Sequence, residues 1–225
     1  MTGVQTCALP ISKEYLYNHP LFFDLSEAEI ELLASATVAK KYYVGNILHY
    51  EKEKNDNIYF LSSGALKIYK VDRMDNEIFM YNVNSGSLIS EITDLDGSIG
   101  CFANAEFTKD SEVLVFDYSV FKDIFSHNTK FLLNLIKEFA KKTKMLQCII
   151  NREIVFDGTA KVAFMLVHDL ESFNTLKKGD VAYMLNIQPE TLSRILNKLF
   201  RNNYIQNDGQ NIKIVDINGL KACYE

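Results

Sequence analysis

KKGDVAYMLNIQPETLSRILNKLFRNNYI, Lys177 to Ile205, decides how this chain is read. Apolar residues recur at Val181, Ala182, Leu185 and Ile187, and again at Leu192, Ile195, Leu196 and Leu199. That spacing lays one apolar stripe on each of two short helices and lets the stripes pack together. Ala182 is small where the helices cross. Asn186 sits at the reversal, and Asn tolerates a left-handed backbone better than most residues. Pro189 suits the first turn of the second helix, where its missing N–H costs nothing. The pattern is a helix-turn-helix, whose exposed second helix fits the DNA major groove.

The outer face of that helix carries fitting chemistry. Glu190 and Arg194 are four apart and share a face. Gln188, Thr191, Ser193, Asn197, Lys198 and Arg201 lie around them and complete the candidate DNA-binding set. Arg forks onto guanine O6 and N7, and Glu accepts from cytosine N4. The plainer alternative is a solvated helix with one Glu190–Arg194 ion pair. The turn, the small Ala182 and the apolar register favour DNA.

The net charge of the 225 residues is −5, an unexpected sign for a DNA binder. Residues 1–156 carry 16 Lys and Arg against 21 Asp and Glu, which is the whole −5, while residues 157–225 carry 8 of each. The acid excess is therefore N-terminal, and the local field governs phosphate contact. No apolar run is long enough to span a bilayer and none follows a cationic start, so no membrane association and a cytoplasmic location are expected. Cys7, Cys101, Cys148 and Cys223 are scattered without a CxxC pair, which supports neither a disulfide framework nor a zinc or iron–sulfur centre.

Met1–Ser12 (MTGVQTCALPIS) resembles the translation of a sequencing adapter and is read as a non-native segment, residues 1–12. Ser26 to Glu29 has capping-box spacing and predicts a short helix to about Ala36. Tyr42–Tyr50, Asn57–Ser63, Ala65–Val71, Glu77–Val83 and Glu112–Phe116 are β-branched or aromatic runs punctuated by Gly and Asp-Asn, and they predict a sandwich or jelly-roll barrel within residues 13–127. Residues 128–156 contain no Gly or Pro and predict one long helix. Leu132, Leu135, Phe139, Leu146 and Ile149 follow a 3-4 spacing and are the candidate dimer seam, with Lys142 and Glu153 interrupting it. Asp157-Gly158 ends this helix as a hinge. Residues 157–225 then hold a helix at Lys161–Leu170, the helix-turn-helix, and a β-hairpin wing around Gly209. The fold class expected is α+β: an N-terminal jelly-roll barrel, a long dimerisation helix and a C-terminal winged helix-turn-helix.

Barrel, long helix, hinge, helix-turn-helix and wing together resemble the Crp/Fnr family of bacterial transcription regulators. DVAYMLNIQPETLSRIL looks like the family's recognition segment, with Glu190, Ser193 and Arg194 matching its E-x-x-S-R core. GSLISEITDLDG and SEVLVFDYSVF match in the barrel, and Asp180 looks like the N-cap of the first helix of the pair. The resemblance implies a cytoplasmic homodimeric regulator, not an enzyme, with double-stranded DNA and RNA polymerase as partners. It also implies a barrel that takes an effector, of unknown identity here. Members that bind cyclic AMP carry Gly-Glu and, about ten residues on, Arg-Ser or Arg-Thr. This chain has Ser90-Glu91 and Cys101-Phe102. No Arg lies between Met74 and Gln147, and a buried phosphate without a guanidinium partner is poorly stabilised, so cyclic AMP binding is not expected. No cofactor is identifiable. Haem and iron–sulfur are unsupported, since His19, His49, His127 and His168 are single and scattered. Pro189 stands where the cyclic-AMP branch has an Arg before the recognition Glu, which implies a TTGA-like inverted repeat. The competing reading is a cupin-like catalytic or small-molecule-binding barrel with a fused or degenerate helix-turn-helix. A metal cupin needs clustered His, and His49 alone lies among the predicted strands.

Overall fold

A computed structural model describes residues 13–90, 92, 99–209 and 211–225, and the reading of residues 1–12 lies outside it. The chain divides into two compact units between Lys144 and Met145.

The first unit opens with α1 (Lys13–Asn18), a 3-10 turn (Pro20–Phe22) and α2 (Glu27–Ser35). The capping box is complete: Glu29 N donates to Ser26 Oγ at 3.3 Å and Ser26 N to Glu29 Oε2 at 2.7 Å. The strands that follow are β1 (Thr37–Tyr42), β2 (Ile47–His49), β3 (Lys54–Asn55), β4 (Asn57–Ser63), β5 (Ala65–Val71), β6 (Glu77–Asn84), β7 (Ser87–Leu88), β8 (Ile99–Gly100), β9 (Asn104–Phe107) and β10 (Ser111–Asp117). They form antiparallel sheets ordered β1-β10-β4-β7 and β2-β9-β5-β6, with a separate β3-β8 pair. This is the jelly-roll sandwich the strand pattern predicts. One predicted strand is corrected. Tyr42–Tyr50 is broken because the chain turns at Gly45, whose φ of +81° few side chains tolerate. Gly64 joins β4 to β5 at φ +95°, where an added Cβ would lie 2.6 Å from Asp110 O.

Asp117 caps α3 (Tyr118–His127) by accepting from Ser119 N at 2.8 Å and Val120 N at 3.2 Å. Asn128 then starts α4 (Thr129–Ile150), its Oδ1 accepting from Phe131 N at 3.0 Å. Phe131 reaches into the sandwich core, with ring centroids 5.3 Å from Phe121 and 6.1 Å from Phe22. Such aromatic pairs add about 0.5–1.5 kcal/mol beyond their burial. The predicted single helix is thus α4 continued by a π-helical turn at Asn151–Val155.

The second unit contains α5 (Gly158–His168), α6 (Leu170–Thr175), α7 (Lys178–Met184), α8 (Pro189–Arg201), β11 (Ile205–Asp208), β12 (Asn211–Ile214) and α9 (Ile217–Lys221). Asp157 caps α5, its Oδ1 accepting from Ala160 N at 2.8 Å. The core is Val162, Leu166, Val181, Leu192, Leu199 and Leu220 with their neighbours. Burying each such side chain contributes about 1.5–3 kcal/mol. β11 and β12 pair antiparallel, Ile205 opposite Ile214, as the predicted wing.

Candidate nucleic-acid interface

The helix pair is built as its sequence directs. Val181, Ala182, Leu185, Leu192, Ile195, Leu196 and Leu199 are all buried on the shared face. Leu185 is the C-cap of α7, and Asn186 follows at φ +52°. Ile187 N closes the turn by donating to Ala182 O at 3.0 Å. Gln188 is the N-cap of α8 and Pro189 its first residue. Asp180 is not the N-cap of α7: Lys177 holds that position without a side-chain bond, and Asp180 lies exposed in the first turn. Its carboxylate there still favours the positive helix end.

Of the eight candidate contact residues, Gln188, Glu190, Ser193, Arg194, Asn197, Lys198 and Arg201 are exposed and Thr191 is half-buried. At about 100° per residue, Glu190, Arg194, Asn197 and Arg201 fall within about 60° of one another, with Ser193 and Lys198 on either flank. Thr191 sits at the edge of this face. A side chain at Gly158 would meet Ile195 Cδ1 at 3.1 Å and Thr191 Cγ2 at 4.0 Å, so the Thr191 methyl leans toward α5. Glu190 lies in the first turn of α8 and Lys198 and Arg201 in the last, each favourable to the helix dipole. Asn174 of α6 holds the wing: its Nδ2 donates to Ile212 O at 3.0 Å and its Oδ1 accepts from Ile212 N at 2.8 Å. Sequence reasoning missed Asn174, since no local pattern marks an amide that pairs with a strand 38 residues on.

The candidate dimer-seam residues lie along α4. Leu135 is 2% exposed, inside the chain's own core, and Leu132 and Phe139 pack against that core. Lys142 Nζ donates to Ile89 O at 2.9 Å and Ser90 O at 3.4 Å. Leu146 and Ile149 are half-buried. The apolar 3-4 spacing of this stripe is therefore met in its first half by the chain's own sandwich, because Phe131 and Leu135 anchor that face of α4 in the core.

The sandwich holds a partly open cavity of about 20 Å³ lined by His49, Asn55, Tyr59, Ser90, Cys101 and Phe102 among others. That is room for about one water. Asn55 Nδ2 approaches Cys101 Sγ at 3.5 Å. Burial pushes the Tyr59 hydroxyl pKa up, with Cys101 and Glu53 adding to it. The Lys70 ammonium sits 4.0 Å from the Phe102 ring centroid and pairs with Glu51 at 2.9 Å. Glu91 lies outside the described residues. The four histidines stay apart: His19 caps the 3-10 turn, His49 lines the cavity, His127 bonds Asp123 O, and His168 meets Tyr224. Among the described residues no group of three or more His, Cys, Asp or Glu is placed to hold a metal, and no helix is long and apolar enough to cross a membrane.

Residues 39–128 match the family described as cyclic nucleotide-binding domain, and residues 161–223 match the Crp-like helix-turn-helix domain. The cAMP-activated global transcriptional regulator CRP of Salmonella typhimurium is 20% identical over 199 residues, covering 84% of this chain and 95% of that protein. This chain belongs to the Crp/Fnr family of DNA-binding transcription regulators. Its fold is shared by a CooA mutant from Carboxydothermus hydrogenoformans, with a TM-score of 0.69 at 19% identity over 99% of this chain and 100% of that one. A Crp/Fnr-family regulator from Thermus thermophilus superposes with a TM-score of 0.60 at 17% identity, over 83% and 97% of the two chains. This Crp/Fnr chain presents Glu190, Ser193 and Arg194 on the exposed face of α8. It carries Cys101 and Phe102 at the cavity.

Proposed function

We propose that this chain is a homodimeric, cytoplasmic, sequence-specific regulator whose α8 reads a TTGA-like inverted repeat and whose barrel takes an effector other than cyclic AMP. The observation that carries the reading is the exposed face of α8, on which Glu190, Arg194, Asn197 and Arg201 share one stripe with Ser193 and Lys198 beside it. Glu190 and Arg194 discriminate the G·C pair, and Lys198 and Arg201 hold phosphates. A dimer places two such helices about 34 Å apart, one DNA turn. RNA polymerase is the partner at the promoter, and no catalytic step is assigned to the chain. Cyclic AMP is disfavoured by Cys101 and Phe102, which offer a cyclic phosphate no guanidinium.

A randomised-site selection with the purified chain tests the reading. Enrichment of paired TTGA and TCAA half-sites is the expected result. Enrichment of TGTGA half-sites, or of no sequence, overturns it.

A further inference from the structure

The chain caps its helices with short polar side chains. Ser26 of α2, Asp117 of α3, Asp157 of α5, Asp169 of α6 and Asp216 of α9 each accept a first-turn N–H on a side-chain oxygen. Such residues are preferred there because they satisfy donors that the helix itself leaves open. The two helices of the helix-turn-helix depart from this habit. α7 starts at Lys177 and α8 at Gln188, neither with a side-chain cap bond. Gln188 has the extended backbone of an N-cap, φ −73° and ψ 146°, in which a Ser or Asp would reach the N–H of Glu190 or Thr191.

A local preference set aside in an otherwise well-capped chain marks a functional position. Gln188 is exposed, and Pro189 after it restricts its backbone to the extended form observed. Recognition helices touch base edges with their N-terminal residues. A side-chain amide matches adenine there, its oxygen accepting from N6–H while its N–H donates to N7. The neighbouring side chains do not offer this pairing. Glu190 only accepts, and Arg194, Lys198 and Arg201 only donate. Ser193 has one hydroxyl that suits either base, and the Thr191 methyl leans toward α5. Asn197 carries an amide but lies nine residues on, about 13 Å further toward the C-terminal end of α8. Gln188 and Glu190 are two residues apart, about 3 Å along the axis, close to the base-pair step of about 3.4 Å. The pair within reach of Gln188 is therefore next to the one that Glu190 meets.

We propose that Gln188 reads adenine through its side-chain amide, at the base pair beside the G·C pair of the half-site, and that α8 forgoes a cap for this contact. The proposal rests on the reading of α8 given above and names a reader for an A·T pair which that reading leaves unassigned. Randomised-site selection with wild type and Gln188→Ser, alongside urea unfolding of both, tests it. Wild type is expected to enrich an A·T pair beside the G·C pair. Gln188→Ser is expected to lose that preference, a change of about 10-fold at this one pair, and to keep the G·C preference. Its unfolding midpoint is expected to rise, because a serine there caps α8. A wild type that enriches no sequence overturns the reading of α8 and this proposal together. A wild type that selects its site while Gln188→Ser selects the same one overturns the proposal alone. So does a Gln188→Ser that binds every sequence more weakly by one factor, which places the amide on phosphate. A lowered midpoint overturns it too, because the glutamine then serves the fold. Asn197→Ala is expected to leave the A·T preference intact, and its loss there assigns the pair to Asn197 instead. Gln188→Arg supplies a positive readout. Its preference at that pair is expected to shift from adenine to guanine, whose O6 and N7 suit a guanidinium, and continued preference for adenine overturns the assignment.

Discussion

Arg194 and Lys198 are both exposed on α8, yet their chemistry separates them. Arg194 lies in the central stripe, where a planar fork can satisfy two acceptors of one guanine. Arg194→Ala should therefore cost about 1–3 kcal/mol on the preferred site and relax the choice at one base pair. Lys198 lies on the flank, and on the reading proposed above its point charge serves phosphate rather than a base. Lys198→Ala should weaken every sequence alike and reduce the salt slope by about one. Titrations of wild type and both variants at several salt concentrations, on the selected site and on a scrambled one, measure each effect. The residue assignments rest on an Arg194→Ala variant that loses specificity; retained preference sinks them. Thr191 marks where residue-level reading from sequence stops. It is adjacent in sequence to contact residues but at the edge of their face, and its methyl packs toward Gly158. Only the tertiary neighbour, 33 positions away in the chain, reveals that.

The elements around α8 depend on polar contacts that periodicity does not encode. Asn174 makes both backbone bonds that a neighbouring strand would make to Ile212, which is 9% exposed. Asn174→Ala leaves a part-buried donor and acceptor without this partner and should destabilise the C-terminal unit by about 1–2 kcal/mol, read by urea unfolding. Asn174→Asp keeps the acceptor for Ile212 N but sets a second carboxylate oxygen against Ile212 O, so it should not recover that loss. At the other end of α5, Lys161, 8% exposed, pairs with Glu153 at 2.5 Å, and Arg152 Nε meets the same carboxylate at 2.8 Å. Burial pushes the Glu153 pKa up, but the hydrogen bonds from Lys161 and Arg152 outweigh it and hold the carboxyl below its ordinary 4.5. A carboxyl depressed in the folded state contributes stability above its unfolded pKa and loses it as pH falls through the folded value. The unfolding midpoint should therefore drop below about pH 4.5, and Glu153→Gln should flatten that acid limb. Glu153→Ala instead leaves Lys161 without its carboxylate and should cost about 3 kcal/mol or less, given that Glu153 is 27% exposed. Elements with strong local chemistry were legible beforehand. The Ser26 capping box, the strands Asn57–Ser63 and Ala65–Val71, and the Asn186 reversal stand where their residues put them. Tyr42–Tyr50 was not, because its aromatic and β-branched content conceals the left-handed turn at Gly45.

At the scale of the whole molecule, the order of barrel, long helix and helix-turn-helix follows from pattern alone, whereas the faces of α4 do not. An apolar 3-4 spacing says that a stripe is covered, not by what. The first half of the apolar stripe meets the chain's own sandwich beside Phe131 and Leu135, while Leu146 and Ile149 beyond it stay half-buried. The lining of the barrel cavity is likewise a question of which side chains converge. Cys101 and Phe102 meet Asn55 and Lys70 there, contacts that no pattern in the sequence announces. Lys142 adds a link that no sequence pattern announced, since its ammonium bonds the carbonyls of Ile89 and Ser90, two residues that also line the cavity. An occupant that displaces Ser90 must therefore strain or break a bond to α4. Lys142→Met, which keeps most of the stem and removes the ammonium, should leave the fold intact and change the DNA affinity of the free chain. Cyclic AMP should give neither calorimetric heat nor a rise in unfolding temperature with wild type or variant, because binding to the folded state alone must raise that temperature. Micromolar affinity for cyclic AMP in wild type would show that Cys101 and Phe102 are no barrier. Unchanged DNA affinity in Lys142→Met would remove the cavity wall from the path to the DNA.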